Sequence, residues 1–166
     1  MTFRQIDDNC DLGKLKKAII SPREIKVLKQ QKPEKESIVK KLTPSESIFQ
    51  PVDYKITLED DDENRVPIIA IVNKTSGGQV GNDILKSFYR YLNPIQVIDL
   101  IEDGLEKLKI FRQLKKCKIL VGGGDGTIGS VLSYVNSESF REGEKFKMPV
   151  GILPLGTGND LSRILG

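Results

Sequence analysis

From Val66 onward the chain alternates two hydrophobic patterns. Ile68-Ile69-Ala70-Ile71-Val72 is an unbroken apolar run, the mark of a strand covered on both faces. It stops in Asn73-Lys74-Thr75-Ser76-Gly77-Gly78, a turn-forming stretch. Ile84, Leu85, Phe88 and Leu92 then recur at helical spacing, which predicts a helix capped by Asn82 or Asp83 and ending at Asn93-Pro94. Ile95–Leu100 predicts a second strand, and Leu105, Leu108, Phe111 and Arg112 mark a second helix over about 105–116. Lys118–Val121 is a third strand, entering Gly122-Gly123-Gly124-Asp125-Gly126-Thr127, and Ile128, Val131, Leu132 and Val135 stripe a helix over about 127–135. After a polar excursion from Asn136 to Lys147, a fourth strand, Val150–Leu153, runs into Pro154–Asp160 and the start of a fourth helix. This βαβαβαβα order predicts an α/β fold, a parallel sheet with helices on both faces. Ligands of such sheets sit beyond the carboxyl ends of the strands, where three of the four strands end in glycine-rich loops.

The stretch before Val66 reads differently. Pro22, Pro33, Pro44 and Pro51 punctuate it, and its amphipathic pieces, around Leu15–Ile20 and Ile25–Leu28, are short. Residues 1–65 are therefore expected to be linker and residues 66–166 the folded domain. Residues 1–42 hold five more basic than acidic side chains, and residues 43–65 five more acidic than basic, mostly in Glu59-Asp60-Asp61-Asp62-Glu63. The basic opening suits an anionic membrane or nucleic acid. No aromatic residue is interleaved with its lysines, which favours a solvated linker and no nucleic-acid partner. No apolar signal segment follows Met1, and the longest wholly apolar run is Ile68–Val72, so a cytoplasmic chain without a membrane span is expected.

Composition narrows the chemistry. The sequence has no histidine and two cysteines, Cys10 and Cys117. Ser-His-Asp and Cys-His sites, HExxH zinc sites and facial-triad iron are excluded. Two cysteines complete neither a zinc site nor a disulfide framework. Carboxylates, hydroxyls, lysine and backbone amides must carry any catalysis.

Those groups concentrate in the loops. Gly122, Gly123, Gly124 and Gly126 let the backbone approach a bulky anion, and the helix that follows presents amide donors to phosphate. A carboxylate at Asp125 is repulsive there unless it binds Mg²⁺ through water or accepts a proton from a hydroxyl nucleophile; otherwise it only makes turn hydrogen bonds. Gly124-x-Gly126-x-x-Gly129 also fits a dinucleotide fingerprint, but the next strand ends in Pro154–Asp160 rather than in a ribose-binding acid. No GxxxxGK[ST] sequence is present, which disfavours a P-loop NTPase. Thr157, Asn159 and Asp160 read as a second cradle, or as a helix cap. Asn73–Gly78 reads as a third.

These residues resemble a family. Ile119–Thr127 and Ile152–Arg163 are closely similar to the catalytic domain of eukaryotic diacylglycerol kinases, and Tyr91-Leu92-Asn93-Pro94-Ile95-Gln96-Val97 resembles their segment between first helix and second strand. The GGDGT sequence alone is shared with sphingoid-base and NAD kinases, which stay as alternatives. The resemblance implies a Rossmann-like three-layer domain of the lipid kinase and NAD kinase kind, with ATP and Mg²⁺ as cofactors. It implies transfer of the γ-phosphate to the primary hydroxyl of diacylglycerol at a membrane surface, giving phosphatidate, by a cytoplasmic protein recruited peripherally to membranes. Residue by residue, Gly123, Gly124, Gly126 and Thr127 match the nucleotide loop and Asp125 its functional carboxylate. Asn73, Ser76 and Gly77 match the first phosphate loop, and Thr157, Asn159 and Asp160 the fourth. No residue is assigned as a direct metal ligand. Phosphoryl transfer is mostly positioning and charge neutralisation and needs no histidine.

Cys10-Asp11-Leu12-Gly13-Lys14-Leu15-Lys16, with Ile19-Ile20-Ser21-Pro22, resembles the exit of a phorbol-ester-type cysteine-rich zinc domain. Cys10 is then its last zinc ligand, or else an ordinary unpaired cysteine. Lys74 stands where the family carries proline and adds a candidate phosphate contact. Ser130 replaces a residue that is large or acidic in relatives. The family's second, mainly β domain is absent from this sequence, so feeble lipid phosphorylation by the chain alone is expected. A non-catalytic nucleotide-binding fragment that pairs with another chain is the alternative.

Overall fold

The structure, a computed structural model, describes residues 13–28, 54–58, 65–114, 116–137, 140, 148–156 and 159–165. Cys10, the acidic run 59–63 and Thr157 lie outside the described residues. A short antiparallel pair, β1 (Ile25–Val27) and β2 (Tyr54–Ile56), precedes the main sheet. That sheet has four parallel strands, β3 (Ile68–Val72), β4 (Val97–Asp99), β5 (Lys118–Gly123) and β6 (Val150–Pro154), in the order β4-β3-β5-β6. Helices α1 (Val80–Tyr91), α2 (Asp125–Asn136) and α3 (Asp160–Leu165) follow β3, β5 and β6. No helix among the described residues is long and apolar enough to cross a membrane.

The unbroken apolar run of β3 is explained by its position. Successive side chains of a strand point to opposite faces, and here both faces are covered. Val72 and Val97 pack with Leu85 of α1, ringed by Ile84, Phe88, Leu92 and Leu155. On the other face Ile69, Ile71, Ile98, Ile119 and Val121 pack with Leu108, Phe111, Ile128 and Val131. The expected α/β sheet between two layers of helices is what forms.

Several boundaries differ from the sequence pattern. The strand expected over Ile95–Leu100 is only Val97–Asp99, because Pro94–Gln96 forms a 3-10 turn capped by Asn93. Helix α2 begins at Asp125 rather than near Thr127. Helix α1 starts at Val80, and no side chain caps it. The turn itself supplies acceptors, since Gly77 O takes the N–H of Val80 at 3.4 Å and Ser76 O that of Gly81 at 3.2 Å. The helix expected over 105–116 is a 3-10 helix, Leu105–Gln113. Leu105, Leu108, Phe111 and Leu114 repeat every third residue, a spacing that stays on one face at three residues per turn but drifts about 60° per step in an α-helix. Strand β5 continues through Gly122 and Gly123, because β3 and β6 both extend far enough to pair with it: Gly122 faces Val72 and Leu153, and Gly123 faces Pro154.

Part of the stretch expected to be linker is packed into this body. Ile20 and Ile56 lie in the main core. Buried Glu24 accepts from both terminal nitrogens of Arg65, at 2.5 and 2.6 Å. The fully buried carboxamide of Gln96 accepts from Ile20 N at 2.7 Å and donates to Ala18 O at 2.8 Å and Ile68 O at 2.7 Å. Asn93 donates to Ile20 O at 3.0 Å while accepting from Ile95 N at 3.1 Å. The two amide side chains of the Tyr91–Val97 segment thus fasten residues 18–20 over the starts of β3 and β4. Satisfying every polar atom of a buried Gln requires partners on both segments.

Candidate functional site

The strand order creates the site. The chain leaves β3 towards β4 on one side and later builds β5 and β6 on the other, so the connections diverge between the ends of β3 and β5. Crevices at such reversals are where open α/β sheets bind ligands.

The loop after β3 is shaped by one side chain and two glycines. Asn73 Oδ1 accepts from Thr75 N at 3.1 Å and Thr75 Oγ1 at 2.7 Å, while its Nδ2 donates to Thr127 Oγ1 at 3.2 Å. Asn73 therefore folds its own loop and ties it to α2. Ser76 N donates to Asn73 O at 3.0 Å. Gly77 and Gly78 are both left-handed, φ 62° and 68°, and a Cβ at Gly77 would stand 2.1 Å from Leu155 O. The first loop is thus pressed against the fourth. Gly81 closes the turn from below, where a Cβ would meet Asn73 O at 2.5 Å.

The glycines after β5 divide into distinct roles. At Gly123 a Cβ would strike the Thr127 side chain at 2.6–2.8 Å, so this glycine makes room for the start of α2. Gly124 caps α2 with extended backbone, and Gly156 approaches it so closely that a Cβ on Gly156 would lie 3.1 Å from Gly124 Cα. Gly126 and Gly129 face open space. The third glycine of a dinucleotide fingerprint serves close helix–strand packing, and Gly129 has none. The first helical bond of α2 runs from Ile128 N to Gly124 O, so the amides of its first turn have no intrahelical acceptor and carry the positive end of the helix dipole.

Asp125 sits in that first turn. Its Oδ2 accepts from Asp160 N at 2.9 Å, which joins α2 to the start of α3, while its Oδ1 is buried without a partner. Asn159 donates through Nδ2 to Gly156 O, and its Oδ1 is likewise buried and unpaired. Two unpaired acceptors in facing loops are unusual, because buried polar atoms are nearly always bonded. Hard cations and their water shells use such oxygens. Among the described residues there is no group of three or more acidic or thiol side chains that could hold a metal ion by themselves.

Of the residues expected at the site, Asn73, Ser76, Gly77, Gly123, Gly124, Gly126, Thr127, Asn159 and Asp160 lie with Asp125 at this sheet edge, and Thr157 lies outside the described residues. Thr127 is buried and accepts from Asn73, so it braces two loops. Ser130 Oγ donates to Gly126 O at 2.9 Å, back along its own helix. Lys74, a candidate phosphate contact, is paired with Asp99 at 3.0 Å and with Glu102. Sequence reasoning missed Leu155, Gly156, Asp99 and Glu102. The four-residue step from Gly77 to Gly81 was a readable sign of a tight turn, whereas the crossing of loops at Leu155 leaves no local signal.

Residues 67–166 match the model of the diacylglycerol kinase catalytic domain. A Caenorhabditis elegans protein named "Probable diacylglycerol kinase 3" is 51% identical over 100 residues, covering 60% of this chain and 12% of that protein. Human diacylglycerol kinase iota is 37% identical over 177 residues and human diacylglycerol kinase zeta 36% over 175, each covering 98% of this chain but only 16% and 18% of the relative. The chain thus spans less than a fifth of the length of these relatives. No solved structure matches it significantly.

Proposed function

The chain belongs to the diacylglycerol kinase catalytic-domain family through residues 67–166, and from that premise we propose that it forms the nucleotide-binding part of an ATP-dependent kinase that phosphorylates diacylglycerol to phosphatidate. One observation of the site carries the reading: three loops meet at the open N-terminus of α2 around Asp125, whose Oδ1 is buried and unpaired. Unpaired amides of the first turn suit phosphate oxygens. The left-handed Gly77 and Gly78 bring the first-loop backbone over the same edge.

Asp125 Oδ1 fits Mg²⁺ through its water shell, with the Asp160 carboxylate as a second candidate, and the ion when bound neutralises phosphate charge. The chain's own residues position the reactants. The first turn of α2 orients the phosphates, Asn73 and Thr127 keep the loops in register, and Asp125 either orients the hydrated metal or takes the acceptor's proton. The acceptor hydroxyl is carried by a lipid, so the encounter is proposed at a membrane surface facing the cytoplasm, where ATP is abundant.

Titration calorimetry of the purified chain with Mg-ATP tests the nucleotide reading, with NADH as comparison. Saturable binding of Mg-ATP, weakened by Asp125→Asn, is expected. Preference for NADH would overturn it. Phosphatidate formation in diacylglycerol-containing micelles, measured against sphingosine and NAD as acceptors, tests the substrate class.

A further inference from the structure

The first loop is fastened on both flanks, and the two fastenings differ in kind. On the α2 side the tie is the neutral bond from Asn73 to Thr127. On the β4 side the Lys74 ammonium reaches Asp99 Oδ2 at 3.0 Å and also the Glu102 carboxylate. The receiving end is firm. Asp99 is buried, its Oδ1 accepts from Ile101 N at 3.0 Å, and its own N–H donates to Asp103 Oδ2 at 2.9 Å. Lys107 in turn donates to that Asp103 oxygen and to Val97 O, each at 3.0 Å. Asp99 is therefore a fixed post at the end of β4.

From this geometry we infer that Lys74 is a positioning residue: its charge anchors the phosphate-facing loop to the Asp99–Glu102 turn, and it does not itself contact the nucleotide. The inference rests on the nucleotide-binding reading above for its kinetic consequence, though not for its structural one. Swinging the ammonium to a phosphate would strip the cationic partner from Asp99, whose side chain is 5% exposed, and a buried carboxylate left without its counter-charge is strongly unfavourable. Donating hydrogen bonds to Glu102 and Asp99 also raises the pKa of Lys74 above its usual 10.5, so the anchor stays charged throughout the neutral range.

The test uses the full chain with Lys74→Met, Lys74→Arg, Asp99→Asn and Glu102→Gln, the last being an exposed side chain whose replacement leaves the core intact. Two quantities are read: Mg-ATP affinity by calorimetry, and amide hydrogen exchange over Thr75–Gly81 without nucleotide. Lys74→Met is expected to weaken Mg-ATP roughly 5- to 20-fold and to speed loop exchange roughly tenfold. Lys74→Arg restores both. Asp99→Asn and Glu102→Gln weaken Mg-ATP in the same direction, and in any variant that turns over, KM for ATP moves more than kcat. The opposite sign overturns the inference: if freeing Lys74 by Asp99→Asn or Glu102→Gln tightens Mg-ATP, Lys74 is a phosphate ligand held in check. Unchanged loop exchange in Lys74→Met overturns it too. If the unmodified chain binds no Mg-ATP, the functional reading falls, while the exchange measurement still decides whether Lys74 anchors the loop.

Discussion

Gly77 and Gly78 sit side by side with nearly the same left-handed backbone, yet only Gly77 faces another atom, Leu155 O, within reach of a Cβ; Gly78 faces open space. Alanine at either position carries the left-handed strain, about 1–2 kcal/mol. At Gly77 it must also push a backbone carbonyl aside, which no side-chain rotation relieves. Urea unfolding should show Gly78→Ala losing about 1 kcal/mol, Gly77→Ala distinctly more, and only Gly77→Ala disturbing Mg-ATP binding. Equal losses would mean that the two loops do not touch in solution. Site residues were legible in the sequence where chemistry is local: a carboxylate inside a glycine run, an Asn before a turn. They were illegible where chemistry is supplied from far along the chain, as with Leu155 over Gly77 or Asp99 beneath Lys74. Nothing in the neighbourhood of Lys74 distinguishes a lysine aimed at a ligand from one already engaged by a distant pair of acids.

Elements were legible by their period, and they failed where two periods overlap. The four strands and α1 follow from apolar runs and a 3.6-residue stripe. The Leu105–Gln113 segment was misassigned because a three-residue repeat over nine positions resembles a short amphipathic helix until its drift is counted. Its burial remains real: Leu108 and Phe111 are fully enclosed, and Phe111→Ala should cost about 3–5 kcal/mol in chemical denaturation. The docked piece around Ile20 was missed because its clamps are polar. Arg65→Ala removes the counter-charge of a buried carboxylate and should cost about 3–5 kcal/mol, whereas the double change Arg65→Met with Glu24→Leu should cost clearly less. If the single and double variants match, Glu24 is solvated and the segment is not held by this pair.

At the scale of the molecule, the larger apolar core encloses the Cys117 thiol. Burial pushes Cys117 from 9.0 up to about 12. An acid whose folded pKa is raised contributes stability that is complete below the unfolded value and is lost as pH rises towards the folded one. The melting temperature of the chain should therefore fall more steeply between pH 9 and 11 than that of Cys117→Ala, and parallel slopes would show that the thiol ionises freely in the fold. The parallel sheet and the edge that carries the loops were legible because alternating strands and helices admit few right-handed arrangements; the strand order was not. Nor was the edge of the folded body. The family match begins at residue 67, but Gln96, fully buried, has two of its three partners at Ala18 and Ile20. A laboratory that orders a gene beginning at the matched boundary would remove those partners, leave a bare amide at the foot of the sheet, and uncover apolar surface next to it. The expected yield is inclusion bodies, and extending the gene back to about residue 13 should return the protein to the soluble fraction.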